Sequence, residues 1–313
     1  MEYKYLIVDS NNLGYKVLNK SLDRSIIKVS NKFIYKQFIK DFIETIEYYK
    51  TFFSAKEVIL LFDNHTSKEE LKKAFSPKQG STKRDIKETY KAGRKKEANE
   101  FYESLNFLKY YYMVGDKEYH TVQILKLEAD DLVEPCISSI VKDDTALLIT
   151  NDSDWTRYLS DTIDYFPHNT PCNKECFFNQ YGFYPSEDKV ILYKILYGDA
   201  TDNIPIVFPE FNKELRKKIL EDFSSLFDLI LYNSTKEYLK EFTLLIKDRE
   251  IELKINYQLL SAIPVSKSQF LSHYTTGRES LKLKNAILDI IYERKDKDNK
   301  FEFGGIKVPR VKP

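Results

Sequence analysis

Three cysteines in 313 residues are too few for a disulfide framework, so the chain reads as a reduced protein of the cytosol. Glycine is also scarce. There are nine, and none falls between Gly198 and Gly277. A stretch so poor in glycine has few places for a tight turn or for close approach of the main chain to a ligand. No run of about 18 apolar residues occurs, which excludes an ordinary transmembrane helix and argues against a membrane partner. The opening "MEYKYLIVDSNN" has no basic segment followed by a long apolar core, so no secretory signal is expected. Net charge is nearly absent too, at +1. What remains is 42% hydrophobic and 31% charged, a globular composition with room for one large domain or two ordinary ones.

The near-zero total hides a basic segment. Between residues 68 and 96 stand Lys68, Lys72, Lys73, Lys78, Lys83, Arg84, Lys87, Lys91, Arg94, Lys95 and Lys96, opposed by Glu69, Glu70, Asp85 and Glu88. Alone, such a run is usually a solvated face.

Three apolar runs read as buried strands: "YKYLIVD" ending at Asp9, "EVILLFD" at Asp63 and "TALLITND" at Asp152. They are continuous rather than alternating, as in a parallel sheet covered on both faces. "TVQILKL" at 121–127 is a fourth candidate. Helical patterns separate them, at 32–53 and 132–142. Pro135 implies that the second of these starts late or bends. Alternating strand and helix predicts an α/β fold with a central, mostly parallel sheet flanked by helices. Residues 64–120 hold no clear strand and read as an insertion of basic helices and loop. Residues 1–185 are expected to form the core with that insertion, 186–292 a helical subdomain, and 293–313 a charged tail.

Carboxylates crowd the places where this sheet would bind ligands, beyond the carboxyl ends of its strands. Asp9 and Asp63 end strands; "LEADD" places Glu128, Asp130 and Asp131 within four residues. "TNDSDW" adds Asp152 and Asp154, and "GDATDN" adds Asp199 and Asp202. Two like charges at about 4 Å repel by roughly 4 kcal/mol at an effective dielectric near 20. A helix N-terminus tolerates one such cluster; several in series suit hard divalent cations, which take oxygen ligands. Two such ions can activate water and stabilise a leaving oxygen in phosphodiester hydrolysis.

These motifs, with "VDSNN" and "LLFD" around Asp9 and Asp63 and "ETYKAGRK" in the basic run, resemble those of the 5′-nuclease superfamily over about residues 3–205. The resemblance implies a PIN-like/5′-nuclease fold with a basic helical arch. It implies that the nine carboxylates hold two Mg²⁺ ions, with Mn²⁺ as a substitute. It implies that Lys91 and Arg94 contact the scissile phosphate and that Tyr90 stacks on an unpaired base. Those residue types suit the roles. Beside a carboxylate site, Lys83, Arg84, Lys87, Lys95 and Lys96 read as DNA contacts. The implied activity is 5′–3′ exonuclease and flap endonuclease, removing RNA primers or flaps in replication. A monomer in the cytoplasm of a bacterium or phage-infected cell is expected, with the tail as a dock for replication proteins. The chain departs from the family where a glycine-rich helix-hairpin-helix usually grips duplex DNA; Lys213, Arg216, Lys217 and Lys218 are the side chains available there instead.

Two other readings share some of these features. A PIN-like ribonuclease has the acidic sheet edge but not the long basic insertion. A DNA-junction binding protein without catalysis would not need all nine carboxylates. The stretch "HNTPCNKEC" spaces His168, Cys172 and Cys176 roughly like metal ligands, but zinc usually takes four. Reduced, structural cysteines are the expectation there. Tyr110, Tyr111 and Tyr112 read as packing residues.

Overall fold

The computed structural model describes residues 2–21, 23–64, 97–200, 202 and 204–292, with the main chain of 301–303 and 306–308. In chain order it comprises β1 (Tyr5–Asp9), α1 (Ser10–Lys20), β2 (Ile26–Val29), β3 (Lys32–Tyr35), α2 (Lys36–Phe52), β4 (Glu57–Leu61), α3 (Asn99–Val114), β5 (Tyr119–Val122), α4 (Val133–Cys136) and β6 (Ala146–Ile149). There follow β7 (Ile163–Tyr165), α5 (Lys174–Tyr181), α6 (Glu187–Tyr197), α7 (Lys213–Asp222), α8 (Leu226–Tyr232), α9 (Thr243–Asp248) and α10 (Glu250–Leu260). Last come α11 (Lys267–His273), β8 (Thr275–Thr276), α12 (Leu281–Tyr292), β9 (Phe301–Phe303) and β10 (Ile306–Val308). No described helix is long and apolar enough to cross a membrane.

The described chain forms two compact units. One takes residues from Met1–Asn64, Lys96–Asn151 and Val265–Pro313; the other takes Asp152–Pro264. In the first unit the strands run β6–β1–β4–β5–β8. The first four are parallel and β8 is antiparallel to β5. Leu6, Ile7, Val8 and the run Val58–Leu61 are fully buried, as a sheet covered on both faces requires. Asp9 lies opposite Leu61, and Val8 opposite Ile149. The carboxyl ends of β1, β4 and β6 therefore share one edge. Helices α1, α2, α3 and α12 pack against one another in this unit.

Several expectations need correcting here. Residues 32–35 of the expected helix at 32–53 are strand β3, which pairs with β2 and whose Tyr35 N–H donates to the Ser104 hydroxyl oxygen at 2.8 Å. The expected arch at 64–120 is too long at its end. Helix α3 buries Phe101, Leu105, Leu108, Tyr111 and Tyr112 in the core, and β5 begins at Tyr119. The candidate strand 121–127 is displaced: β5 ends at Val122, and Lys126 has a left-handed backbone, φ 68°. After a 3₁₀ turn at Ala129–Leu132, Pro135 sits within the short helix α4, which widens to a π turn at Ile137–Val141. The helical subdomain expected to run to 292 ends at Pro264, because the following residues return to the first unit and supply β8. Gly277 permits that return: a Cβ there would lie 2.1 Å from the Asp116 carbonyl oxygen.

The second unit is mainly helical. Ser186, Asn212 and Ser225 cap α6, α7 and α8, each side chain accepting a hydrogen bond from an N–H in the first turn. Helix α6 lies at the centre, against α7, α8 and α10. Its Ile191, Leu192, Ile195 and Leu196 are fully buried. Within this apolar helix Lys194 is also buried, 6% exposed, and that exception leads to the site.

Candidate active site

On the first unit, Asp9, Asp63, Glu128 and Asp131 are each fixed by a neighbouring donor. Asp9 ends β1 and caps α1: its Oδ1 accepts the Asn12 N–H at 2.9 Å. Its Oδ2 accepts the Thr150 hydroxyl, just past β6, at 3.0 Å. Asn11 accepts the Asp63 N–H at 3.1 Å, and Asn12 accepts the Asn151 N–H at 3.0 Å. The polar run after Asp9 thus ties β1 to the ends of both β4 and β6. Asp63 Oδ1 accepts the Ala129 N–H at 2.7 Å, which joins this edge to "LEADD".

The three carboxylates of "LEADD" have separate tasks. Glu128 and Asp131 form a capping box. The Glu128 N–H donates to Asp131 Oδ2 at 3.0 Å, and the Glu128 side chain accepts the Asp131 N–H. Asp131 is buried, 1% exposed, while Asp130 on the same turn is half-buried. Crowding by sequence is therefore relieved by turning Asp131 inward.

On the second unit, Asp152 caps the 3₁₀ turn Ser153–Tyr158 and accepts the Asp154 N–H at 2.9 Å. Asp154 is buried between two cations: it pairs with Lys194 Nζ and with Arg157 at 3.2 Å. The same ammonium reaches Asp199 Oδ2 at 2.6 Å. Burial alone would lower the Lys194 pKa, but the charges of Asp154 and Asp199 outweigh it, and the ammonium is held well above its ordinary range. Gly198 makes the turn into this motif with φ 78°, and a Cβ there would meet Ile204 and Ile206 at 3.1–3.2 Å. Asp199 and Ile204 then close an antiparallel bridge, with both hydrogen bonds 2.8 Å long. Asp202 is buried, its N–H donating to Asp199 Oδ1 at 3.4 Å.

Of the basic candidates, Lys213 and Lys217 are exposed on α7. Arg216 turns inward, donating to the Phe208 carbonyl at 3.1 Å and lying over the Tyr197 ring at 5.5 Å. Lys218 lies over the Tyr238 ring at 4.2 Å. Lys83, Arg84, Lys87, Tyr90, Lys91, Arg94, Lys95 and Lys96 fall outside the described residues.

Among the described residues no group of three or more His, Cys, Asp and Glu side chains is arranged to hold a metal ion. The donor chemistry nevertheless fits a hard divalent cation, being carboxylate oxygen throughout. On the residues that follow Asp9 and Asp154 in the sequence, the buried Ser10 Oγ and Trp155 Nε1 have no hydrogen-bond partner. Such atoms are usually satisfied by ordered water, which magnesium sites retain.

Asn11, Asn12, Thr150, Arg157 and Lys194 are the site residues that the sequence reading missed. Lys194 left a signal, a single charge within the apolar run "VILYKILY".

No protein-family model and no curated relative matches the sequence. Solved structures do. The chain is similar to a bacteriophage T5 flap endonuclease in a pseudo-enzyme–product complex with DNA and metal ions, with 20% identity and a TM-score of 0.59. That match covers 92% of this chain and 99% of the other. It is also similar to the T5 5′-exonuclease with zinc bound, with 20% identity, a TM-score of 0.60 and the same coverage. The expected fold is borne out: a mixed α/β chain with a mostly parallel central sheet flanked by helices, the architecture of the T5 5′-exonuclease.

Proposed function

We propose that the protein is a divalent-metal-dependent 5′ nuclease that hydrolyses phosphodiester bonds at 5′ ends and flaps in DNA, as both 5′–3′ exonuclease and flap endonuclease. The observation that carries this reading is the acidic edge of the first unit, on a fold shared with structures of a phage flap endonuclease. There Asp9, Asp63 and the "LEADD" turn are tied together through Asn11, Thr150 and the Ala129 N–H.

Asp9, Asp63, Glu128, Asp130 and Asp131 would hold one Mg²⁺ ion; Asp152, Asp154, Asp199 and Asp202 would hold a second, with Mn²⁺ as a substitute. Bound there, such ions would activate water for attack and offset charge on the leaving oxygen. The chain's own contribution is orientation and charge. Thr150 and the Asn12 N–H fix the Asp9 carboxylate in one rotamer. Lys194 gives the buried Asp154 and Asp199 a shared counter-charge. Lys91 and Arg94 would bind the scissile phosphate and Tyr90 would stack on an unpaired base. Lys83, Arg84, Lys87, Lys95, Lys96, Lys213 and Lys217 would follow the phosphate backbone, while Arg216 braces α7. Removal of RNA primers or flaps in replication is the task that suits this activity, performed by a cytoplasmic monomer with the tail after 293 as the dock for a replication protein.

The test is a 5′-flap duplex labelled at its 5′ end, incubated with wild type, Asp130→Ala and Lys91→Ala, in Mg²⁺ and in EDTA. Metal-dependent cleavage near the junction is expected, abolished in Asp130→Ala and reduced by orders of magnitude in Lys91→Ala. Binding of the flap without cleavage in either Mg²⁺ or Mn²⁺ would overturn the proposal.

A further inference from the structure

Arg157 belongs to the second unit's acidic group without being one of its acids. It follows Asp154 by three residues on the 3₁₀ turn Ser153–Tyr158, where side chains at that spacing share a face. Its side chain is 2% exposed, which is rare for a guanidinium unless it is paired. Nε donates to the Asp154 carbonyl at 2.7 Å, and Nη2 lies 3.2 Å from Asp154 Oδ1. Nη1 donates at 2.9 Å to the carbonyl of Leu260, the last residue of α10, and lies 3.5 Å from Glu187. One N–H thus satisfies a helix-end carbonyl, a task for any donor. The charge is directed at Asp154. Lys194 Nζ contacts the same Oδ1 and also Asp199. Two buried cations therefore meet two of the carboxylates proposed to hold the second ion.

We propose that Arg157 is a positioning residue that holds the Asp154 carboxylate in place when no ion is bound and, through its fixed charge, competes with a divalent cation for that carboxylate. The inference rests on the reading of Asp152, Asp154, Asp199 and Asp202 as metal ligands. Arg157 acts through Asp154 and touches no reacting atom.

The physical chemistry is electrostatic. A buried carboxylate without a counter-charge is costly, so Asp154 needs a cation beside it in the ion-free chain. The same charge repels an arriving Mg²⁺ or Mn²⁺, and burial leaves little solvent to screen that repulsion. A guanidinium cannot relieve it by losing a proton. The second group therefore binds a divalent ion more weakly than its carboxylates alone would. This sets the sign of the test. Removing the charge tightens metal binding, whereas loosening a side chain that merely braces α10 and Asp154 weakens it.

The chain carries its own reporter. Its single tryptophan, Trp155, follows Asp154 on the same turn and is fully buried. The full chain, without DNA, is titrated with MnCl₂ while Trp155 emission is followed, excited where tyrosine does not absorb. Arg157→Gln keeps N–H donors but removes the charge, and its Mn²⁺ midpoint should fall about tenfold below wild type. Arg157→Lys keeps the charge and should stay within about twofold of wild type. A raised midpoint in Arg157→Gln, or the same shift in both variants, would overturn the proposal and make Arg157 a structural brace. A second measurement needs no neutral variant. In wild type carrying isotopically labelled arginine, the Arg157 guanidinium resonance, identified by its loss in Arg157→Lys, should move when Mg²⁺ is added. A resonance that stays put while Trp155 emission responds to the metal also overturns it. If Mn²⁺ leaves Trp155 emission unchanged in wild type, the second group holds no ion, and that part of the proposed function falls together with this inference.

Discussion

The two units hold buried carboxylates in different ways. In the first, Asp9 and Asp131 accept hydrogen bonds from neutral donors: the Thr150 hydroxyl and the N–H groups of Asn12 and Glu128. In the second, Asp154 and Asp199 converge on the buried Lys194 ammonium, with Arg157 also on Asp154. A carboxylate held by neutral dipoles keeps its full negative charge to offer. One held by a buried cation has already spent part of it. The first arrangement is thus set up to attract a cation, the second to stay intact without one.

The sharpest way to break this contrast is to remove one acid from each side. Asp131→Asn and Asp154→Asn should each lower metal-dependent flap cleavage by orders of magnitude. Restoration by raised Mn²⁺ is expected for Asp131→Asn but not for Asp154→Asn, where the loss leaves Lys194 short of a counter-charge. Equal rescue of both would erase the distinction. Next in size is Lys194→Met. It leaves two acids buried without their shared cation and should cost about 3–5 kcal/mol in urea unfolding. The matched change on the other side, Thr150→Val, removes one neutral hydrogen bond and should cost about 1 kcal/mol. If these two variants unfold at the same urea concentration, the units do not differ as described.

The smallest effect concerns acid. His120 in β5 contacts Glu57 at 2.9 Å and Thr276 at 3.1 Å, and its ring stacks on Tyr274. Burial lowers its pKa in spite of the Glu57 charge. A histidine lowered in the folded state contributes stability above the ordinary value near 6.5. That contribution fades as pH falls through the folded value. The stability difference between wild type and His120→Asn should therefore shrink on acidification below about pH 6.5. A difference that grows instead would mean that His120 is held as a cation, and that the first unit also relies on buried charge.

Much of the fold was legible because parallel strands must be apolar on both faces. "YLIVD", "EVILL" and "ALLI" could hardly be anything else, and an acid after such a run marks the edge where ligands bind. Other features had weaker local signals. Residues 32–35 match a helical pattern that continues through 53, and only pairing with β2 makes them a strand. β8 is two threonines, and its existence depends on β5 lying nearby in the fold. In the sequence, helix α3 reads as part of the arch because it follows a basic run without a break. Its burial of Phe101 and Leu108 is a tertiary fact. The acids of the site were visible as a set, but their partners were not. Asparagines and a threonine near a strand end are common, and what they bond is decided by which strands become neighbours.

The return of the chain at Gly277 also sets a schedule for the ribosome. Strand β5 ends at Val122, but its antiparallel neighbour β8 is not made until Thr275–Thr276. At about 5–20 residues per second, the flank of β5 that β8 will cover waits roughly 8–30 s during synthesis. The stretch Asp152–Pro264 of the second unit is made within that interval. An unpaired strand edge held open so long is a site for wrong pairing. A chain cut short before Val265 would carry that exposure permanently, so nonsense truncations there should be found in aggregates rather than as inactive but folded protein.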